Sequence, residues 1–216
     1  MDKYVYPNTN VLINKFNIKN AEELEKKERN ITVLKALLLN TKEFKHTFDL
    51  NHLKEIHKFL FEDIYNWAGK AREVDISKGT TLFCKAINIE SFSEEIFLKL
   101  KKENYLKDLD KDKTVEKLAE LFLDLNALHP FREGNGRTQR EFIRELAEDR
   151  GLLLDLTKIE PGKMIELSIK DDPLELKKVF LEIMKEKEKK FEFIDDKSNN
   201  LWKNELEKNK SNGLER

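Results

Sequence analysis

Between His129 and Phe142 the sequence reads HPFREGNGRTQREF, and these residue types are hard to account for as packing. Gly134-Asn135-Gly136 permits positive φ and a close approach of backbone to a ligand. The helix expected to begin there aims its free N–H groups into the same loop, which makes a cradle for an anion. Arg137 and Arg140 are three apart, on one face of the first helical turns. Two cations crowded at the positive end of a helix dipole are unfavourable without an anionic ligand, and a polyphosphate would relieve them. Glu133 offers a carboxylate from which a hard divalent ion such as Mg²⁺ could bridge to phosphate oxygens, with few protein ligands needed. His129 closes the preceding helix and is the one residue of the stretch that titrates near neutrality. It suits the role of general base toward a hydroxyl attacking phosphorus.

Each of these residues also has a packing explanation: a histidine at a helix end is often a cap, a lone GxG is a weak signal, and Phe131 belongs in a core. Their joint spacing within twelve residues favours chemistry. The other histidines give no such pattern. His52 and His57 are five apart and do not share a helix face, and His46 has no acidic or metal-ligand companion at useful spacing. HExxH, Walker A and CxxC patterns are absent.

With only 7 Gly and 4 Pro in 216 residues, and apolar residues recurring at three and four, the elements that position this loop are expected to be helices. The spacing predicts helices over 21–39, with Leu24, Ile31, Leu34 and Leu38 on an apolar stripe, and over 51–67, with Gly69 as a stop signal. Further helices are predicted over 91–105, 113–128, 136–150 (closed by Gly151) and 173–189. The segment 72–85, REVDISKGTTLFCK, places β-branched and aromatic residues around Lys78-Gly79 and predicts a β-hairpin. From 185 onward the composition turns strongly charged, the pattern of a solvated helix or frayed end, although Trp202 and Leu206 would share a helix face and dock on the body.

The composition excludes several function classes. Lys and Arg number 41 against 42 Asp and Glu, a net charge of -1, which gives no long-range attraction for nucleic acid or anionic membranes. No concentrated basic recognition helix is seen. Cys84 is the single cysteine, so an internal disulfide and a multi-cysteine metal site are ruled out. No apolar run approaches the roughly 20 residues of a membrane helix and none resembles a signal peptide, so a cytoplasmic location is expected.

HPFREGNGRTQR resembles the Fic motif, HxFx(D/E)GNGRxxR, and matches it at every defined position. TNVLINKFNI, the segment from Tyr65 to Gly69 and ISKGTTLFC are similar to the corresponding parts of small bacterial Fic proteins, so the resemblance covers roughly 6–185. It implies a mainly α Fic-domain fold over 1–185, with the core motif at 129–140, one β-hairpin flap at 72–85, and a charged helical tail over 186–216. The implied activity is AMP transfer from ATP to a Ser, Thr or Tyr hydroxyl of a target protein, with release of pyrophosphate. His129 would deprotonate the hydroxyl, Glu133 would hold Mg²⁺ against the α- and β-phosphates, and Gly134, Asn135 and Gly136 would line the anion hole. Arg137 would hold the β-phosphate region and Arg140 the γ-phosphate. Ser77, Lys78, Gly79 and Thr80 would form the flap that pairs with the target segment.

Many Fic enzymes are restrained by a helix bearing (S/T)xxxE(G/N), whose Glu pairs with the last Arg of the motif. Ser211 and Glu215 have that spacing, with Arg216 in place of the expected Gly or Asn. The rival arrangement is a restraining helix from a separate small antitoxin protein. Self-association is also open. Phosphate transfer is the alternative chemistry of the fold, but relatives that perform it carry Lys where this chain has Gly136. A non-catalytic nucleotide-binding module would need the glycines and arginines but not His129 with Glu133.

Overall fold

The computed structural model describes residues 2–39, 46–79 and 81–184. Six helices order the fold: α1 (Ala21–Leu39), α2 (Leu50–Phe61), α3 (Ile89–Lys102), α4 (Lys111–Leu128), α5 (Asn135–Asp149) and α6 (Pro161–Lys170). Residues 173–184 are also helical. Two strands, β1 (Ser77–Lys78) and β2 (Thr81–Leu82), pair antiparallel between α2 and α3. α5 lies between α2 and α4, α1 covers α2, and α3 packs on α4.

The centre of this packing is α2, whose Leu53, Ile56, Leu60 and Phe61 are fully buried. Asp49 caps it by accepting from the His52 N–H at 2.9 Å, which satisfies a donor the first turn would otherwise leave open. The predicted helix over 51–67 stops at Phe61. There the N–H groups of Ile64 and Tyr65 both donate to the Phe61 carbonyl, and the chain tightens into a turn. Ile64 and Tyr65 stay buried and Trp67 stacks on Tyr65 (4.4 Å, 17°), so the apolar spacing continues past the last helical turn. Gly69, at φ +79, serves that later turn rather than the helix end; a Cβ there would lie 2.8 Å from Lys58 Cβ.

α1 has the predicted bounds but a different buried face. Leu24, Glu28, Thr32 and Leu39 point inward, while Leu34 and Leu38 are 62% and 55% exposed. The inward face is polar at Glu28 and Thr32 because it lies over the loop of 129–140, as the contacts below show. α6 was not expected from the sequence, although its opening Pro161 is a favoured first helical residue. Among the described residues, no helix is long and apolar enough to cross a membrane.

Candidate active site

α4 and α5 are joined by six residues, and this junction positions the candidate base. His129 caps α4 in the left-handed region (φ 44, ψ 59), its N–H donating to the Leu125 carbonyl. Its Nδ1 lies 3.1 Å from the Asn126 carbonyl oxygen. A carbonyl can only accept, so Nδ1 carries the proton and Nε2 keeps its lone pair. Phe83 stacks on the ring at 3.7 Å and 14°. Burial, with the positive charges of Arg72 and Lys78, lowers the imidazole pKa to about 4.

The anion cradle begins at Gly134, which has φ +82 and lies so close to Phe61 that a Cβ would sit 2.3 Å from Cζ. α5 starts at the next residue without a side-chain cap, which leaves first-turn N–H groups free for a ligand. The Asn135 side chain braces the loop: its Oδ1 accepts from the Phe131 N–H and its Nδ2 donates to the Phe131 carbonyl, both at 2.8 Å.

The two arginines are not equivalent. Arg137 donates to Glu28 at 2.5 Å and to Thr32 at 3.2 Å, and its guanidinium lies 4.7 Å over the Phe61 ring. Glu28 is fixed in turn by the Tyr65 hydroxyl. The predicted crowding of two cations is therefore relieved in part from within the protein. Arg140 makes no ion pair among the described residues, and burial lowers its pKa, with Arg137 adding to the effect. Glu133 is half-exposed at the cavity rim. Its Oε1 accepts from the Gly134 N–H at 2.9 Å and lies 3.5 Å from Arg137, and its Oε2 has no partner among the described residues. An outward hard oxygen beside the cradle fits a divalent ion that takes its other ligands from phosphates and water.

The hairpin is shorter than predicted: Ser77 pairs with Leu82 and Lys78 with Thr81. Gly79 supplies the positive φ (+59) that a two-residue hairpin loop requires at its first position. Thr80 lies outside the described residues. The base of the flap is buckled by Arg72, which is buried and donates to the carbonyls of His129 (2.9 Å), Val74 (2.8 Å) and Cys84. The Cys84 N–H donates to Ala127 of α4. Flap and candidate base are thus fixed to the same backbone.

A cavity of about 480 Å³ is lined by Ser77, Lys78, His129, Glu133, the Gly134–Gly136 run and both arginines. Sequence reasoning missed four contributors to the site. Glu28 and Arg72 act through contacts far apart in sequence and left no local signal. Phe83 lay inside the predicted hairpin. The α6 residues Met164, Ile165 and Ile169 form the apolar far wall, and Pro161 was the signal that could have located them. A second groove, about 680 Å³, runs beside α1 and shares Glu133, Arg137 and Arg140 with the first. Ser211 and Glu215, and the docking expected of Trp202 and Leu206, lie outside the described residues.

The Fic/DOC family profile matches residues 47–147. The chain is 41% identical over 168 residues to the protein adenylyltransferase VbhT of Bartonella schoenbuchensis, an alignment that covers 78% of this chain and 35% of VbhT. It spans only about a third of that relative's length. With the probable protein adenylyltransferase Fic of Escherichia coli K12 it shares 39% identity over 159 residues, 74% of this chain and 78% of the relative. Among solved structures, the N-terminal FIC domain of the Bep8 protein from Bartonella sp. 1-1C superposes with a TM-score of 0.79 at 28% identity, covering 84% and 94% of the two chains. BepC from Bartonella tribocorum, solved with AMPPNP bound, gives 0.75 at 27% identity, covering 83% and 95%.

Proposed function

This chain belongs to the Fic/DOC family, and on that premise we propose that it is a protein adenylyltransferase. It moves AMP from ATP to a Ser, Thr or Tyr hydroxyl of another protein and releases pyrophosphate. One observation carries the reading: His129 has one ring nitrogen tied to Asn126 and the other without a hydrogen-bond partner among the described residues, in the same cavity as an uncapped helix start and Arg140.

The free Nε2 takes the proton of the incoming hydroxyl. The hydroxyl oxygen bonds to the α-phosphorus as the bond to the bridging oxygen breaks, and the electron pair leaves with pyrophosphate. Gly134, Asn135 and Gly136 stabilise the charge on the phosphate oxygens through backbone N–H groups, without reorganisation. Arg140, in no ion pair among the described residues, meets the γ-phosphate, and Arg137 borders the β-phosphate while held by Glu28. Mg²⁺ held by Glu133 would neutralise and orient the phosphates. The apolar wall of Met164, Ile165 and Ile169 suits the nucleobase. Ser77 and Lys78 of β1, which turns at Gly79, offer the target a strand edge in the cavity that His129 also lines. A carboxylate that restrains the enzyme, whether Glu215 with Ser211 or one from an antitoxin or a second copy of the chain, acts by occupying Arg140.

Incubation with ATP labelled at the α- or the γ-phosphate tests the reaction. Protein-bound label from the α position alone is the expected result; label from the γ position alone would establish phosphate transfer instead. His129→Ala is expected to abolish transfer while ATP affinity stays within about threefold, because a general base contributes about 10²–10⁴ to rate rather than to ground-state binding. Loss of ATP binding in that variant would contradict the base assignment.

A further inference from the structure

Away from this cavity, the fold assembles a cluster that the sequence keeps apart. His46 and His52 flank the start of α2, and Glu145 projects from the third turn of α5. Both Nε2 atoms converge on one carboxylate oxygen, Glu145 Oε2, at 3.7 Å from His46 and 2.8 Å from His52. The two imidazoles lie nearly parallel, 5.3 Å apart at 15°. His52 is fully buried and Glu145 nearly so, while His46 is 37% exposed at its side chain. Despite the 2.8 Å approach, neither ring nitrogen of His52, nor Glu145 Oε2, has an aligned hydrogen-bond partner. Buried polar atoms without such partners call for an explanation.

We propose that His46, His52 and Glu145 form a binding site for one divalent transition-metal ion of the zinc type. Two imidazoles and a carboxylate are the donor set that suits zinc rather than magnesium. With metal–ligand bonds of about 2.0–2.1 Å, tetrahedral donors lie about 3.3 Å apart. The observed 2.8 and 3.7 Å bracket that spacing. The second carboxylate oxygen, Oε1, lies 3.6 Å from Arg144, which holds the carboxylate's orientation as outer partners of metal ligands do. The exposed edge at His46 leaves a fourth position to water. Rings of Phe48 and Phe142 close the other sides.

The role is structural. None of the three residues lines either of the two cavities described above. Glu145 stands nine positions along α5 from Gly136, about 14 Å at 1.5 Å per residue. The ion staples the entry of α2 to α5, the helix whose first turn forms the anion cradle.

The test uses the full-length protein, stripped with a chelator and re-equilibrated with Zn²⁺ or Mg²⁺. The expected result is one tightly bound Zn²⁺ per chain after gel filtration, a raised unfolding midpoint with Zn²⁺ only, and the visible absorption of tetrahedral Co²⁺ on cobalt substitution. His46→Ala removes an exposed ligand and keeps the buried pair, so it folds; it should bind Zn²⁺ at least about tenfold more weakly. His129→Ala should bind as the wild type does, which separates this site from the cavity. Equal Zn²⁺ binding by His46→Ala, or a wild type that elutes metal-free, overturns the proposal.

Discussion

A shift in pH is the sharpest perturbation of His129. Burial, Arg72 and Lys78 hold its imidazole near pKa 4 rather than the ordinary 6.5. A base must be neutral to accept a proton, so transfer fails only as pH falls through the folded value. At pH 5.5 an ordinary histidine is about one-tenth neutral, whereas one with a pKa near 4 is almost wholly so. The rate at low MgATP, which reports the free enzyme, should therefore stay within about twofold between pH 7.5 and 5.5, against the roughly tenfold drop an unshifted base would give. Initial AMP incorporation across pH 5–8 measures it, and NMR titration of the four histidines, with His129→Ala to identify the resonance, measures the pKa directly. An acidic limb near 6.5 in both experiments would refute the burial argument. The same shift bears on stability, and the sign follows from which state binds the proton first. The unfolded histidine protonates near 6.5 and the folded one near 4, so the contribution is complete above 6.5 and is lost as pH falls toward 4.

Three further outcomes follow from the geometry. Gly134→Ala combines φ +82 with a Cβ 2.3 Å from Phe61 Cζ and should cost about 2–5 kcal/mol in urea unfolding, whereas Gly136→Ala meets only Arg140 Nη1 at 3.5 Å and should leave stability unchanged while weakening ATP binding, read by calorimetry. Arg137→Ala leaves Glu28 buried without its cation and should destabilise by about 1–3 kcal/mol; Arg140→Ala breaks no ion pair and should lower ATP affinity about tenfold or more at unchanged unfolding midpoint. Glu215→Gly should raise self-modification with ATP and Mg²⁺ where the tail restrains the enzyme in cis, and equal activity of the two forms would assign the restraint elsewhere.

Much of the helical frame was legible because apolar periodicity reports burial directly: α1 has its expected bounds, and α3, α4 and α5 lie within three residues of theirs. The errors share a cause. Periodicity cannot distinguish a last helical turn from a packed turn that buries Ile64 and Tyr65. Nor does it recognise a face such as Glu28 and Thr32, which is inward because it is polar. The loop of 129–140 was readable as a unit because its residues are consecutive. Glu28, Arg72 and Glu145 were not, because each acts on a partner far along the chain: Arg137, His129 and His52. His46 illustrates the limit most clearly. A search for companions by spacing finds none, since its carboxylate stands 99 positions away on another helix.

The unequal state of Arg137 and Arg140 explains how the protein tolerates its own cradle. A helix start, two guanidinium groups and Lys78 around one cavity concentrate positive charge, and without internal relief that concentration would oppose folding. Glu28 supplies the relief at Arg137 only, and the Tyr65 hydroxyl keeps its carboxylate from swinging across to Arg140, the next guanidinium on the same face of α5. Neutralising both arginines would have left the ligand little to gain; neutralising neither would have strained the apo fold. With Arg137 held by Glu28 and Arg140 in no ion pair among the described residues, Arg140 is the guanidinium left open at the rim shared by both cavities. On the proposed reading that position meets the terminal phosphate, and a carboxylate seated in the α1 groove would compete for it there.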